Sequence, residues 1–434
     1  VVILATCSTI PAAIPTSQPA PINGGDPVKL TSLHSNKARV EAPEAEPGDV
    51  TALAGDNTAF AFDLYQHLAG EKGNLFYSPY SISMALAMVE AGARGDTLAE
   101  INQAMHFTLP QDRLPVAFNA LDQAIKQRAA KIPESNKDHP FQLNIANATW
   151  TQKDYAILPQ YLDLLAQQYG AGVDQVDFTQ NSEAARQAIN QWVENQTQRK
   201  IQNMIPKGLI NDSTRMVLVN AIYFNASWLY PFNQEATRDE AFTQMDGSQV
   251  TVPMMHTSRL MGYAKGEGYQ VVELPYISTN LVMDVIVPDA GRFAEVEPSL
   301  SGKSVTAMLG QIRETEVDLG LPKFKYEDQI ELKPVLEAMG MKLAFTPGAP
   351  DFSGMTTDPN LYLQEVLHKA YVSVDENGTE AAAATAVMAG ITAMPLEKVK
   401  LTVDRPFIFL IRDRENGAIL FLGRVADCQA CAGL

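Results

Sequence analysis

ENGTEAAAATAVMAGITAMP, residues 376–395, is the stretch from which the fold of this chain can be worked out. Its charge is confined to Glu376 and Glu380, and four consecutive alanines follow Glu380. Segments typical of β-strands flank it, namely residues 370–375 (AYVSVD) before it and residues 399–403 (VKLTV) and 406–411 (PFIFLI) after it. A long uncharged run inside a compact domain is more often functional or disordered than a plain connector.

Residue types alone allow two conformations for this stretch, a helix or a strand. Alanine favours a helix, but Thr385, Val387 and Gly390 oppose one. In a strand, alternate residues face opposite sides, and the side that starts at Thr379 carries no charge. Gly378 adds a permissive backbone at the entry. The stretch therefore suits a loop that can become a strand, and an alanine-rich linker fits it equally well.

Composition bounds the class of protein and its partners. The 434 residues are 46% hydrophobic and 19% charged, which suits one large globular domain or two to three average ones. The net charge of −17 disfavours nucleic acid, heparin and anionic membranes, because each of these needs a basic surface. No apolar run reaches the length of a transmembrane helix. The cysteines, Cys7, Cys428 and Cys431, lie outside the body of the chain, so disulfides do not build the core.

The N-terminal residues predict export. Residues 1–15 are mostly apolar, and LATC at residues 4–7 resembles the end of a bacterial lipoprotein signal, although Thr6 departs from the usual Gly, Ala or Ser. We expect an exported protein, extracellular or attached to the cell envelope, with Cys7 as a lipidation candidate and the only membrane attachment. A plain apolar N-terminus with no targeting role is the alternative. Residues 16–50, rich in Pro, Gly, Ser and acids, predict a disordered tether.

The body of the chain begins at about residue 51 and predicts an α+β fold. Helical periodicity dominates its first half and antiparallel strands its second half. Ser78-Pro79 is typical of a helix start, and the helix after it is apolar nearly all round, which predicts burial. Residues 216–224 (MVLVNAIYF) predict a central strand.

Seven motifs in sequence order resemble the serpin family of serine protease inhibitors, over about residues 55–426. They are NLFYSPYS (74–81), VLVNAIYF (217–224) with Trp228, VPMMH (252–256), LPKFK (321–325), DFSGM (351–355), VLHKAYVSVDE (366–376) and FIFLIRDRENGAILFLGRV (407–425). The resemblance implies one serpin domain, residues 51–427. Its fold would have a large, mostly antiparallel sheet A, sheets B and C, about nine helices and an exposed reactive centre loop. Together with the resemblance to a bacterial lipoprotein signal, this leads us to expect a bacterial inhibitory member of the family.

The resemblance implies that residues 376–395 are the reactive centre loop. Its inhibitory hinge would be Glu376, Gly378, Thr379, Ala381, Ala382, Ala383, Ala384 and Thr385. By this resemblance, a target serine protease would cleave the loop, the loop would insert into sheet A before the acyl-enzyme hydrolyses, and the distorted protease would be trapped. A charged side chain on the buried face would oppose insertion. The protein would thus be a pseudo-substrate rather than an enzyme, a monomer with no cofactor and no metal, covalently joined to its protease.

The scissile bond is predicted at Thr392–Ala393. The resemblance implies this position: counting fifteen residues inclusive from Gly378 reaches Thr392, and counting back from Arg405-Pro406-Phe407, against family members with this loop length, reaches the same residue. No Arg or Lys lies between residues 381 and 395, which disfavours a trypsin-like target and favours an elastase-like or subtilisin-like one. If the register slips, the specificity residue becomes Met388, Ile391 or Met394, and the target chymotrypsin-like. A cysteine protease is a further alternative.

Two polar groups follow from the resemblance. A shutter beneath the sheet would comprise Ser78, Ser81, Asn220 and His368. A breach at the top of the sheet would comprise Trp228, Lys323 and Glu376. Since buried polar groups need partners, the shutter could exchange partners as strands separate.

Two other functions compete with inhibition. An enzyme is disfavoured, because nucleophile-elbow, zinc-protease and phosphate-loop motifs are missing. Cys428-x-x-Cys431 could bind a metal or act in redox chemistry, but we expect residues 428–434 to be a flexible tail with a disulfide or free thiols. A non-inhibitory serpin, acting as chaperone, carrier or storage protein, is disfavoured by the hinge.

Overall fold

The computed structural model describes residues 30–70, 73–130, 141–277, 280–379 and 398–431. Its helices in these ranges are α1 (Asp49–Leu68), α2 (Pro79–Gly92), α3 (Gly95–Met105), α4 (Leu114–Ala130), α5 (Pro159–Leu164), α6 (Phe178–Gln196), α7 (Phe293–Val296), α8 (Gly302–Leu309) and α9 (Leu332–Ala338). A π-helical turn, Leu165–Tyr169, continues α5. None of these helices is long and apolar enough to cross a membrane.

Sixteen strands in the described ranges form two sheets. They are β1 (Thr31–Leu33), β2 (Leu75–Tyr77), β3 (Phe141–Gln152), β4 (Val173–Val176), β5 (Met216–Ser227), β6 (Arg238–Thr243), β7 (Gln249–Gly266), β8 (Tyr269–Pro275), β9 (Leu281–Pro288), β10 (Arg313–Pro322), β11 (Phe324–Glu331), β12 (Glu365–Asp375), β13 (Gly378–Thr379), β14 (Val399–Thr402), β15 (Phe407–Asp413) and β16 (Ile419–Val425). Helices in the first half and strands in the second confirm the α+β prediction.

The first sheet, sheet A, has seven strands in the order β1-β4-β3-β5-β13-β12-β11. Its pairs are antiparallel except β3 with β4 and β5 with β12. The second sheet runs β14-β10-β7-β8-β9-β15-β16-β2, with β6 also on β7. The predicted sheets B and C are therefore hydrogen-bonded into one, because the long strand β7 pairs with β6 and β10 first and with β8 near its end.

Helix α2 forms the centre of the core, as its sequence predicts. The Ser78 side chain caps it by accepting a hydrogen bond from the Ser81 N–H, and Pro79 occupies the first helical position. Every residue of α2 is buried, and the helix packs against β3 and β5 of sheet A and β16 of the second sheet. Because α2 lies between the two sheets, its polar N-terminus faces the middle of sheet A from below.

The N-terminal segment differs from the predicted tether. Strand β1 pairs with β4 and forms the edge of sheet A, and the Lys37 ammonium lies 2.8 Å from the Asp163 carboxylate. The Arg39 guanidinium lies 2.6 Å from Asp122 and donates to Asn119. Composition predicted disorder because it ignores such partners, which come from distant parts of the chain. Residues 1–29, including Cys7, lie outside the described residues.

The C-terminal residues also differ from the expected flexible tail. Cys428–Cys431 form a 3-10 helix whose two cysteines are joined by a disulfide and fully buried. The short helix packs against β11 and β7. The Asn74 amide oxygen accepts from the N–H groups of Ala426 and Asp427 and holds the preceding turn. Burial of the apolar disulfide favours order here.

Candidate functional site

Sheet A is closed over most of its length and open at one end. Strands β5 and β12 pair directly in parallel, with residues 217–223 of β5 opposite 365–371 of β12. Beyond that point the two strands separate, and β13 lies between them. Gly378 pairs with Ser227 on one side and Asp375 on the other, while Thr379 pairs with Ala226 and Val374. The first two residues of the predicted loop strand are therefore already part of the sheet.

Gly378 makes this insertion sterically feasible. Its φ of +154° is unfavourable for residues with a side chain. A Cβ atom placed on Gly378 would collide with the Ala226 carbonyl oxygen and lie 2.7 Å from the Ser227 Cα. The close approach of β13 to β5 therefore requires glycine at this position.

Thr379 is anchored beneath the sheet. Its side chain is 1% exposed, and its Oγ1 lies 2.7 Å from the hydroxyl of Tyr276. The Tyr276 ring stacks on Trp228 with centroids 4.6 Å apart and meets Phe224 edge to face. These ring contacts fix Tyr276 with its hydroxyl against Thr379.

The predicted breach residues lie together around the entry. Lys323 Nζ lies 3.1 Å from the Glu376 carboxylate, which also accepts from the Thr237 hydroxyl at 2.7 Å. Burial tends to raise the pKa of Glu376, but the hydrogen bonds from Thr237 and Lys323 outweigh it and lower that pKa. Trp228 donates its indole N–H to the Asp375 carbonyl and its backbone N–H to the Asn377 carbonyl. The turn that feeds the loop into the sheet is thus held on three sides.

The predicted shutter residues form one buried network in the middle of sheet A. Asn220 on β5 donates to the Ser81 hydroxyl at 2.6 Å and to the Ser81 carbonyl at 2.9 Å. It also contacts Asn147 on β3 and His368 on β12. The Ser78 hydroxyl donates to the Leu420 carbonyl at 2.6 Å. The network joins three strands of the sheet to the helix below, so any separation of β5 from β12 must rearrange it.

His368 is neutral, and its tautomer is defined by its neighbours. The Ser78 backbone N–H donates to His368 Nε2 over 3.1 Å, so Nε2 carries no proton. The proton is therefore on Nδ1, which donates to the amide oxygen of Asn220. Burial lowers the pKa of His368 to about 3, which agrees with a neutral ring. Because Asn220 and His368 contact each other directly, this pair of side chains links β5 to β12.

Several predicted residues lie outside the described ranges, and others were missed. Residues 380–397 lie outside the described ranges. They include the predicted hinge and scissile-bond residues Ala381, Ala382, Ala383, Ala384, Thr385, Thr392 and Ala393. Motif matching overlooked Asn147, Thr237 and Tyr276. Asn147 had a signal, because it interrupts the apolar alternation of β3. No sequence signal identifies Thr237, because its hydroxyl bonds to Glu376, which is far away in the sequence.

The geometry defines a class of protein. Sheet A carries a two-residue strand between β5 and β12 where they separate, a glycine at the start of that strand, and a buried polar network that joins β5 to β12. A family model described as "Serpin (serine protease inhibitor)" matches residues 55–428. The chain belongs to the serpin family.

Known relatives agree over nearly the whole chain. An uncharacterized serpin-like protein of Thermococcus kodakarensis is 40% identical over 415 residues, covering 95% of this chain and 93% of the relative. Leukocyte elastase inhibitor of Homo sapiens is 36% identical over 391 residues, covering 86% and 99%. The native structure of the thermophilic serpin tengpin superposes with a TM-score of 0.80 at 28% identity, covering 92% and 100%. These similarities support a protease-inhibitor role.

Proposed function

We propose that this chain is a suicide-substrate inhibitor of serine proteases that traps an acyl-enzyme by inserting its cleaved loop into sheet A. The observation that carries the proposal is β13, because Gly378 and Thr379 already occupy the position of the new strand between β5 and β12. Because β13 is already paired with β5 and β12, insertion only has to extend this register.

The residue rows of sheet A support continued insertion. The rows bridged by β13 continue those that β5 and β12 share in the closed part, so the two strands can separate sideways without sliding. Counting on from Thr379, Ala381 would enter the row of Phe224 and Val372, which is buried. Thr385 would enter the row of Asn220 and His368. Thr385, the next polar residue on the buried face after Thr379, would therefore meet the sheet's buried polar row.

The proposed reaction at the Thr392–Ala393 bond is acyl transfer. The serine oxygen of the protease attacks the carbonyl carbon of Thr392, and the bond to the Ala393 nitrogen breaks. Ala393 leaves with a new amino group, and Thr392 stays esterified to the protease. Strand insertion adds main-chain hydrogen bonds and carries the ester away from the loop's original position before water can cleave it. The native fold must then be held kinetically in a less stable state.

The sequence around the bond points to an elastase-like or subtilisin-like target. Residues 390–394 read GITAM and offer small or apolar side chains to a shallow specificity pocket. The relatives named as leukocyte elastase inhibitors are consistent with this preference. For location, we propose export with lipid attachment at Cys7, because LATC resembles a lipoprotein signal.

A protease panel tests the proposal. The full chain is incubated with pancreatic elastase, subtilisin, chymotrypsin and trypsin, and SDS-resistant complexes are identified by mass spectrometry. We expect a complex with elastase or subtilisin and a released fragment that begins at Ala393. Cleavage by these proteases without any complex would contradict inhibition and favour a non-inhibitory role.

A further inference from the structure

A segment after α6 crosses sheet A where β5 meets β12. It comprises residues 197–205, which we call the strap. Its apolar side chains belong to one fully buried cluster with both strands, which includes Ile201, Met204, Ile205, Val219 and Leu367. Val219 and Leu367 pair across the boundary between β5 and β12, one residue before Asn220 and His368. Because neighbouring residues of a strand face opposite sides, the strap covers this boundary on the face away from the shutter.

The strap is anchored to β12 and β11 by two side chains. Lys369 Nζ on β12 donates to the Gln202 carbonyl over 3.0 Å, and Gln329 Nε2 on β11 donates to the Met204 carbonyl over 3.1 Å. Lys369 and Gln329 are paired neighbours in the sheet. Lys369 is only 6% exposed, and its ammonium also lies 3.2 Å from the Glu327 carboxylate. Both anchors therefore hold the strap to the same side of the β5–β12 boundary.

The other end of the strap is held by α6. Asn190 of α6 accepts a hydrogen bond from the Ile205 N–H over 2.7 Å and donates to the Ile205 carbonyl over 3.1 Å. Arg186 of α6 donates to the same carbonyl over 2.9 Å. Helix α6 itself packs against β3, which pairs with β5. The strap thus ties the half of sheet A that contains β3 and β5 to the half that contains β12 and β11.

The backbone of the strap adopts an unfavourable conformation. Of the five non-glycine residues with positive φ in the described ranges, three lie here: Gln198, Arg199 and Asn203, with φ of 51°, 64° and 51°. The left-handed region is disfavoured for residues with a side chain, and glutamine and arginine rarely adopt it. All three side chains are exposed, so their own burial does not compensate for this cost. Backbone strain therefore offsets part of the stability that the anchors provide.

We propose that the strap is a removable brace on sheet A. The anchors from Lys369 and Gln329 hold β5 and β12 together, and the left-handed bend at Gln198 and Arg199 keeps the braced state only slightly favoured. The strap therefore leaves the sheet from time to time, and its departure sets how often β5 and β12 separate. This inference deepens the proposed function, because it identifies what restrains sheet A before a strand inserts.

Hydrogen exchange of the uncleaved full chain tests the brace without any protease. Exchange is measured by mass spectrometry in residues 217–223 of β5 and 365–371 of β12, where it reports how often the strands separate. Lys369→Met and Gln329→Leu each remove one anchoring donor at similar size, and should speed exchange there about three- to tenfold. Arg199→Gly should slow it about two- to fivefold, because glycine adopts the left-handed bend freely.

Two matched variants and an internal reference separate the brace from other effects. Glu327→Gln removes the ionic partner of Lys369 but keeps the anchor to the strap. Asp154→Gly relieves a left-handed residue, with φ of 73°, that lies outside the strap between β3 and α5. Both should leave exchange in β5 and β12 at the parent rate. Residues 419–425 of β16, in the second sheet, serve as the reference in every variant.

The opposite directions of the expected effects make the test decisive. Parent-like exchange in both anchor variants, or exchange in Arg199→Gly that is not slower than in the parent chain, would overturn the inference. An equal rise in β16 would also overturn it, because the anchors would then support the whole domain rather than this boundary. Gln329→Leu carries the test if Lys369→Met folds poorly. Failure of the parent chain to form any elastase complex would instead contradict the proposed function and leave the exchange result standing.

Discussion

The hydroxyl of Tyr276 and the side-chain oxygen of Thr379 are 2.7 Å apart beneath the open end of sheet A. Both residues are fully enclosed, with Thr379 1% and Tyr276 0% exposed. Burial raises the pKa of Tyr276 well above its usual range, so its hydroxyl keeps its proton and remains available for this hydrogen bond. The contact ties Thr379 to the core in the uncleaved chain.

Thr379→Arg should convert the chain from an inhibitor into a substrate. The buried site beside Tyr276 has no room or counter-charge for a guanidinium, so the hinge would leave the sheet and insertion would slow. We expect elastase to cleave the loop at a similar rate while complex formation falls by at least about tenfold. Thr379→Ser, which keeps the hydroxyl, is the matched control. Normal complex formation by the arginine variant would show that Thr379 need not be buried.

Thr385→Val should weaken the inserted form and leave the uncleaved form unchanged. In the proposed register Thr385 enters the Asn220 and His368 row, where valine cannot replace the hydroxyl and leaves buried polar atoms unpaired. Such a loss costs about 1–3 kcal/mol. Differential scanning fluorimetry before and after loop cleavage measures both forms. Ala386→Val, at a neighbouring position, is the control, and an equal loss in both variants would contradict the register.

The shutter should make the native state sensitive to acid. Since burial lowers the pKa of His368 to about 3 from an unfolded value near 6.5, the unfolded chain binds the extra proton between these values. Stability is then full above about pH 6.5 and falls as the pH drops toward 3, by at most about 1.4 kcal/mol per pH unit. His368→Gln should reduce this slope in apparent melting temperature. An unchanged slope would mean that other groups dominate the acid response.

Glu90 should act in the opposite direction. It lies in α2 with both carboxylate oxygens buried and without a hydrogen-bond partner among the described residues. Burial, only partly opposed by Arg94, raises the pKa of Glu90 to about 8. The folded chain therefore holds this proton more tightly than the unfolded chain, and stability is lost as the pH rises from about 4.5 to 8. Glu90→Gln should be more stable than the parent chain at pH 8 and nearly equal at pH 5.

The fold and much of the site could be predicted from the sequence because ordered motifs carry local information. Ser78, Ser81, Asn220 and His368 were identified by their motifs, and the structure brings them together, although their role in insertion stays a prediction. Tyr276 could not be predicted in the same way. Its function depends on a hydrogen bond to a residue 103 positions away, and sequence spacing carries no such distance.

The two chain ends illustrate the same limit. Residues 30–48 have the composition of a disordered segment, yet paired charges such as Arg39 with Asp122 hold them on the domain. Cys428 and Cys431 were expected in a flexible tail, but the structure buries both beside β11 and β7. In each case, contacts with residues that are distant in the sequence determine the conformation, and composition does not reveal such contacts.

The melting temperature of the chain before and after cleavage within residues 385–392 is a direct test of loop insertion. We expect a rise of about 10 °C or more on cleavage, because the loop becomes a central strand of sheet A and adds main-chain hydrogen bonds and buried surface. A melting temperature that stays the same or falls on cleavage would contradict loop insertion, and with it the proposed trapping mechanism.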